Sequence, residues 1–266
     1  MNIAVCIKQI LDPELPPRDF QIDRRAKKAV AANAPLVISP FDENALEVAL
    51  KLREKSGEGK VTAITAGPST AQDALRKALA MKADEAVHVS DPAFEQLDSD
   101  GIASTLAAAI TQLGGFDLVL FGRQAGDWDF GQVGSLVAEK LELPCVTFVS
   151  RVEPSDGNLS LRREADNGFE LIEATPPLVL TVTNDETNAP RLPSVRDTMM
   201  AFRKPIRTLS LADLGVDASA LVAAAYVEVR DIFIPVQEGH CEMVSGENGE
   251  ELAANLVRRL VDLKVL

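Results

Sequence analysis

Two histidines and three cysteines are all the imidazole and thiol groups that this 266-residue chain offers a metal. Cys6, Cys145 and Cys241 are far apart and form no C-x-x-C pair, so neither a zinc site nor a redox dithiol is expected. Reduced thiols packed in the core are the expectation instead. His88 lies in the strand-like run Glu85–Ser90, where a hydrogen-bonded structural histidine fits best. With His240 as the only other histidine, the chain has too few for a histidine-rich metal site, and neither a metal site nor a Ser-His-Asp triad is expected. Positive charge is also scarce: 27 lysines and arginines face 40 acidic residues, a net charge of −13. That balance speaks against nucleic acid and against an anionic membrane surface, both of which call for basic patches. No apolar run approaches the roughly 20 residues that cross a bilayer. The opening Met1–Lys8 reads as a buried strand without a basic leader, and a cytoplasmic location is expected.

What the chain has in plenty is apolar residues, 46% of the total, enough for one sizeable core with an appendage. Strand and helix signals alternate through the first two-thirds. Ile3–Ile7, Val61–Ala66, Ala86–Val89, Leu118–Phe121 and Leu178–Val182 are short apolar runs of the buried-strand type. Between them, the periodic apolar residues of a helix after Ser39-Pro40-Phe41-Asp42, of Thr70–Met81 and of Ser99–Leu113 mark helices. Strands alternating with helices of roughly 10–15 residues imply parallel βαβ units covered on both faces. Thr147–Val152, Asn158–Arg163 and Phe169–Ala174 are separated by Asp156-Gly157 and Asn167-Gly168. These pairs tolerate positive φ and predict an antiparallel extension built of hairpins. The fold class expected is therefore α/β, a three-layer αβα arrangement around a mostly parallel nucleotide-binding sheet with an antiparallel extension. From about Pro205 the alternation stops, and a helical stripe returns at Leu252, Leu256, Leu260 and Leu263. The expected division is an α/β domain over residues 1–205 and a C-terminal arm over 206–266, whose terminal helix docks on a partner.

The most specific signal is the stretch Gly122 to Gly134, directly after the apolar run Asp117–Phe121 and before the amphipathic Ser135–Leu143. A buried strand, a Gly-rich turn and a helix in this order put free backbone N–H groups at the carboxyl edge of a parallel sheet, where phosphates bind. The spacing is neither G-x-G-x-x-G nor G-x-x-x-x-G-K-S/T. Gly122, Gly126 and Gly131 permit close backbone approach. Gln132 and the amides of Gly131, Val133 and Gly134 can donate to phosphate oxygens. Asp127 and Asp129 suit ribose hydroxyls or loop amides better than phosphate, and Asp129 is alternatively the N-cap of a helix beginning near Phe130. Trp128 can fill space or stack on a ring. The segment Arg191–Lys204 predicts a short helix with Val195, Met199, Met200 and Phe202 on a buried face.

These segments, taken together, resemble the small (beta) subunit of electron-transferring flavoproteins. Val5-Cys6-Ile7-Lys8 is similar to the family's V-A-V-K, and Ser39-Pro40-Phe41-Asp42-Glu43 to its N-P-F-x-E. Ala66-Gly67-Pro68 followed by Ala78-Leu79-Ala80-Met81-Lys82-Ala83-Asp84 resembles G-P followed by A-L-A-M-G-A-D. The Gly-rich stretch fits G-K/R-Q-A-x-D-x-D-x-x-Q, and Asn188-Ala189-Pro190-Arg191 fits N-x-P-R. The resemblance implies a heterodimer with a larger alpha subunit that carries a redox FAD, and no catalytic residue in this chain. It implies nucleotide contacts at Cys6, Ser39, Pro40, Phe41, Asp42 and Ala66, and at Gly122, Arg123, Gln124, Ala125, Gly126, Asp127, Asp129, Phe130, Gly131, Gln132 and Val133. Arg123 pairs with phosphate or lies near the flavin.

Family members hold either a structural AMP or a second FAD in this site. Gly131-Gln132-Val133-Gly134 is nearer the A-Q-V-G of the FAD-holding kind than the N-Q-T-G of the AMP kind. FAD is therefore favoured, with AMP the alternative and electron bifurcation a corollary, although Asp127-Trp128-Asp129 departs from the usual D-G-D. Docking on a flavin dehydrogenase is implied for the loop with Glu186, Thr187, Asn188, Pro190 and Arg191. An apolar anchor just before N-x-P-R is replaced there by Glu186 and Thr187. The rival readings are a stand-alone adenine-nucleotide-binding regulatory protein and, last, a nucleotide-hydrolysing enzyme. The latter lacks a phosphate-clamping lysine and a Ser/Thr in the loop.

Overall fold

A computed structural model of the chain describes residues 1–30, 34–235, 239 and 241–266. Histidine 240 therefore lies outside the described residues. The chain opens with β1 (Ile3–Cys6), followed by four short strands, β2 (Gln9–Leu11), β3 (Gln21–Asp23), β4 (Lys28–Val30) and β5 (Leu36–Ile38). Then come α1 (Pro40–Ser56), β6 (Val61–Ala66), α2 (Gln72–Ala80), β7 (Glu85–Val89), α3 (Ser99–Leu113), β8 (Leu118–Gly122) and α4 (Val133–Lys140). Strands β9 (Cys145–Ser155), β10 (Asn158–Ala165), β11 (Gly168–Ala174) and β12 (Leu178–Val182) precede α5 (Val195–Ala201), β13 (Arg207–Leu209), α6 (Ala218–Ala223) and α7 (Gly249–Asp262).

The main sheet has nine strands in the order β11-β10-β9-β12-β8-β1-β6-β7-β13. All neighbours from β9 to β13 run parallel, while β10 is antiparallel to β9 and to β11. This is the mostly parallel α/β sheet with a hairpin extension that the sequence pattern predicts. Strands β1 and β12 are buried at every residue, as expected where helices cover both faces of a parallel sheet. Alternate residues separate into two cores. Ile3, Val5, Leu118, Leu120, Leu178 and Leu180 pack with α1 and α2 on one face. Ala4, Cys6, Val119, Phe121 and Val179 pack with α3 and α4 on the other. The three layers follow directly from this period-two alternation.

The helix signals act as their chemistry requires. Helix α1 has Pro40 in its first turn with Asp42 and Glu43, and Arg53 and Lys55 in its last, each matched to the end of the helix dipole it meets. It stops at Gly57, whose φ of 70° suits the left-handed cap and whose N–H bonds to the Arg53 carbonyl. Helix α3 is capped by Asp98, which accepts from the amides of Asp100 and Gly101.

Several expectations are corrected. The polar stretch after β1 holds two small antiparallel pairs, β2 with β5 and β3 with β4. Residues beyond Pro205 still belong to the sheet, because β13 extends it along β7 in parallel register. Compact packing groups the described residues into two units, Met1–Arg230 and Asp231–Leu266. Within the second unit α7 is capped by Asn248, Arg259 pairs with Glu242 at 2.8 Å, and none of its residues is buried. Of the three free cysteines only Cys6 is a core thiol; Cys145 and Cys241 are exposed. In α5 only Ala201 is buried, whereas Val195 and Met199 are 81% and 62% exposed, so the expected buried face is a surface. No helix among the described residues is long and apolar enough to cross a membrane.

Leu120 is wholly buried on central strand β8. Leu120→Ala is expected to lower stability by about 3 kcal/mol through the cavity it leaves. The check is a fall in the urea midpoint at an unchanged slope.

Candidate functional site

The chain leaves β1, builds outward through β6 and β7, then returns to β8 on the opposite side of β1. Such a reversal opens a crevice at the carboxyl ends of the two strands, which is where open α/β sheets take ligands. Cys6 ends β1, Ala66 ends β6, and the Gly-rich segment leaves β8 at Gly122. Ser39 and Pro40 open α1 at the same edge: the Ser39 amide bonds to the carbonyl of Lys8 at 2.9 Å. The topology thus gathers the sequence-predicted residues of four distant segments at one edge of the sheet.

Asp42 is the knot of this arrangement. One carboxylate oxygen accepts the N–H of Lys8 at 2.8 Å, and the other accepts the N–H of Gly122 at 2.9 Å. Those are the residues just beyond β1 and at the end of β8, so one buried side chain ties both outgoing strands to the first turn of α1. Gly122 has no room for a side chain here: an added Cβ would sit 2.5 Å from the Asp42 carboxylate and 2.7 Å from Phe41. Gly126 donates its N–H to the Ser39 hydroxyl at 3.3 Å, which fastens the turn to the same helix start. With both oxygens occupied, Asp42 organises the crevice wall.

The rest of the loop divides between fixed and available groups. The Asp129 N–H closes a turn on the carbonyl of Ala125 at 3.0 Å, and the Asp129 side chain accepts from Gln124 at 2.7 Å. Helix α4 begins only at Val133, with Gln132 as its N-cap, so the capping role considered for Asp129 is not realised. The Gln132 side chain makes no capping bond, whereas α3, α5, α6 and α7 are each capped by an Asp, Ser or Asn side chain. The first-turn amides of Val133 and Gly134 are left without intrahelical partners, as at any helix start. Gly131, at φ 61°, lies just before them. Trp128 and Phe130 are half-exposed beside the turn with ring centres 5.7 Å apart. Uncapped amides and exposed rings of this kind can take a phosphate group and stack on a flat ring.

Arg123 points elsewhere. Its guanidinium lies over the Phe41 ring at 4.4 Å and 5.8 Å from Phe148, and one terminal nitrogen donates to the Thr183 hydroxyl at 3.3 Å. Cation–π contact on two rings commits it to the wall near β12. His88 is a buried structural residue, as expected, with Nε2 3.0 Å from the Gly67 carbonyl and Nδ1 3.4 Å from Gln72. Among the described residues no group of His, Cys, Asp and Glu could hold a metal ion.

The loop after β12 separates its five candidate docking residues. Glu186 and Thr187 are exposed and Pro190 is partly so. Asn188 is buried: it donates to the carbonyls of Thr183 at 2.9 Å and Ser150 at 3.2 Å, and its own carbonyl accepts from Asn44. Arg191 forks onto Glu47 at 2.8 and 3.0 Å and onto Glu54 at 2.5 and 3.1 Å, both on α1. These two residues are struts that brace the loop from inside. Directly after them, Leu192 is 93% exposed, followed by the exposed face of α5. Residue order alone gave no sign that the apolar surface follows Arg191 instead of preceding Asn188. Lys8 was likewise visible only as part of a motif; in the fold its ammonium lies 2.7 Å from Asp127 of the loop.

Burial raises the Asp42 carboxyl from its ordinary 3.8 to about 7, with the Asp127 charge adding to the rise. The two amide hydrogen bonds and Lys8 oppose this without overcoming it. Burial pushes the Cys6 thiol up too, with the Asp42 charge a lesser cause. Because the folded state keeps the Asp42 proton to higher pH, its contribution to stability is full below about 3.8 and is lost as pH rises through about 7. The urea midpoint is expected to fall across that window, and more steeply in the wild type than in Asp42→Asn. Equal slopes would refute the assignment.

Comparison with known proteins agrees with this geometry. The family model for the electron transfer flavoprotein domain matches residues 28–214. The electron transfer flavoprotein subunit beta of Thermoanaerobacterium thermosaccharolyticum is 40% identical, over 98% of this chain and 98% of its own. The caffeyl-CoA reductase-Etf complex subunit CarD of Acetobacterium woodii is 36% identical over the whole of both chains, and the subunit beta from Megasphaera elsdenii 33% over the whole of both. A crevice built at the strand reversal and likeness along the full length lead to one conclusion: this chain belongs to the electron transfer flavoproteins, as a beta subunit.

Proposed function

We propose that this chain works as one half of a heterodimer with a flavin-carrying alpha subunit, binds an adenine nucleotide in the β1–β8 crevice, and passes electrons between a dehydrogenase or NADH and a downstream acceptor. It is a carrier subunit with no catalytic residue of its own. The observation that carries the reading is the crevice: Cys6, Ser39, Phe41 and the Gly122–Val133 loop meet where the strand order reverses. When bound, a flavin there supplies the redox chemistry. The chain's own part is to seat the phosphates on the Gly131–Gly134 backbone and to present rings for stacking.

A second FAD is favoured over AMP in this site. Gly131 carries no side chain and sits at a φ that favours glycine, and Val133 offers no side-chain donor, so the start of α4 presents its backbone amides to a phosphate or diphosphate. One relative is named as a subunit of a caffeyl-CoA reductase-Etf complex. A similar association, with flavin-based bifurcation, is the natural extension for this chain. The alternative, a stand-alone nucleotide-binding regulator, leaves the unburied stripe of α7 without purpose. On the favoured reading that stripe docks on the alpha subunit.

The deciding experiment is to co-express the chain with its alpha subunit, denature the complex and count released FAD and AMP. Two FAD and no AMP per heterodimer are expected. One of each would make the site structural, and a monomer retaining ATP would favour the regulator. Gly131→Asp, which adds bulk and negative charge beside the α4 amides, is expected to empty the site while the subunits stay associated.

Dehydrogenase docking is assigned to the exposed apolar surface Leu192, Val195 and Met199, braced by Arg191. Leu192→Glu with Met199→Glu is expected to slow electron transfer with the partner dehydrogenase at least about tenfold, the scale of losing one apolar anchor. Nucleotide content should stay unchanged; equal loss of both would argue for a structural segment.

A further inference from the structure

The crevice contains an ion pair that joins its two sides. Lys8 lies two residues beyond β1, and its backbone is held from both directions. Its N–H goes to Asp42 at 2.8 Å, and its carbonyl takes the Ser39 amide at 2.9 Å. Its ammonium reaches both oxygens of Asp127, at 2.7 and 2.8 Å. Asp127 belongs to the Gly-rich loop, where it also accepts the N–H of Trp128 at 3.0 Å. A negative side chain in a loop that takes phosphate is unfavourable unless a cation sits against it. The loop's own cation, Arg123, is committed to Phe41, Phe148 and Thr183. Lys8 is the cation in contact with Asp127.

We propose that Lys8 is a positioning residue of the nucleotide site: it cancels the charge of Asp127 and holds the Gly126–Asp129 turn open to a phosphate group. The inference rests on the nucleotide reading of the crevice. Its ligand class is an adenine nucleotide with at least one phosphate, and Lys8 acts on it through Asp127. A half-exposed pair of this kind adds little to folding stability, so its value lies in the site.

The test uses the intact heterodimer, stripped of nucleotide and titrated separately with AMP and with FAD. Lys8→Met is expected to weaken binding of the retained nucleotide about tenfold, as an uncancelled carboxylate then faces phosphate. Lys8→Arg should bind within a few-fold of wild type. Adding Asp127→Asn to Lys8→Met should recover most of the lost binding, because the charge that needed cancelling is gone while the amide oxygen can still accept from a ribose hydroxyl or a loop amide. The thermal midpoint should stay put in all three variants. Unchanged binding in Lys8→Met, with Gly131→Asp still abolishing it, overturns the role of Lys8 alone. Failure of Asp127→Asn to restore binding, or loss that tracks a falling midpoint, overturns it as well. If Gly131→Asp also leaves binding intact, the nucleotide reading of the crevice fails and this inference falls with it.

Discussion

One buried carboxylate holds the working edge of this protein together. Asp42 takes the amides at the ends of β1 and β8, the two strands between which the sheet changes direction. Without an acceptor, both N–H groups would be left unpaired at a partly buried edge, which is costly. A glycine at position 122 and a helix starting at Pro40 both follow from the need to bring that carboxylate in. The price is a buried acid, and the raised affinity of Asp42 for its proton records how much burial outweighs two hydrogen bonds and a nearby lysine.

The loop after β12 uses a related device for another end. Arg191 meets Glu47, which is almost wholly buried, and Glu54, while Asn188 satisfies two backbone carbonyls from inside. A buried glutamate that lost its arginine would keep only the longer contact to Lys51 at 3.5 Å, so this clasp is strongly constrained. Bracing the base of the loop lets the next residues, from Leu192 into α5, be apolar and exposed without collapsing onto the sheet. Residues that resemble a contact motif are here the support beneath an exposed apolar surface.

Most of the fold was legible in the sequence because period alone decides so much of it. Ser99–Leu113 and Leu178–Val182 were readable to the residue: a capped amphipathic run in one case, an unbroken apolar run between turns in the other. The Asp-Gly and Asn-Gly turns placed the hairpins of β9 to β11 for the same reason. Short strands were not readable. β13 has three residues, two of them exposed, and its identity comes only from the hydrogen bonds that β7 offers alongside it. The face of α5 was misjudged because an apolar stripe states that something covers it, not which molecule does. Cys145 was misplaced because an apolar neighbourhood in sequence is no guide to which end of a strand emerges from the sheet.

Local chemistry in the chain was enough to specify the layers, the Gly-rich turn after β8 and the family resemblance. Each depends on neighbours within a few residues or on a short spacing. Which side chains act on one another across the crevice was settled by topology. Lys8 and Asp127 are 119 residues apart, Asp42 and Gly122 are 80 apart, and Arg191 and Glu47 are 144 apart. No periodicity links such pairs; they meet because β8 lies beside β1 and β12 beside β8, with α1 packed across them, and a strand order is a property of the folded chain.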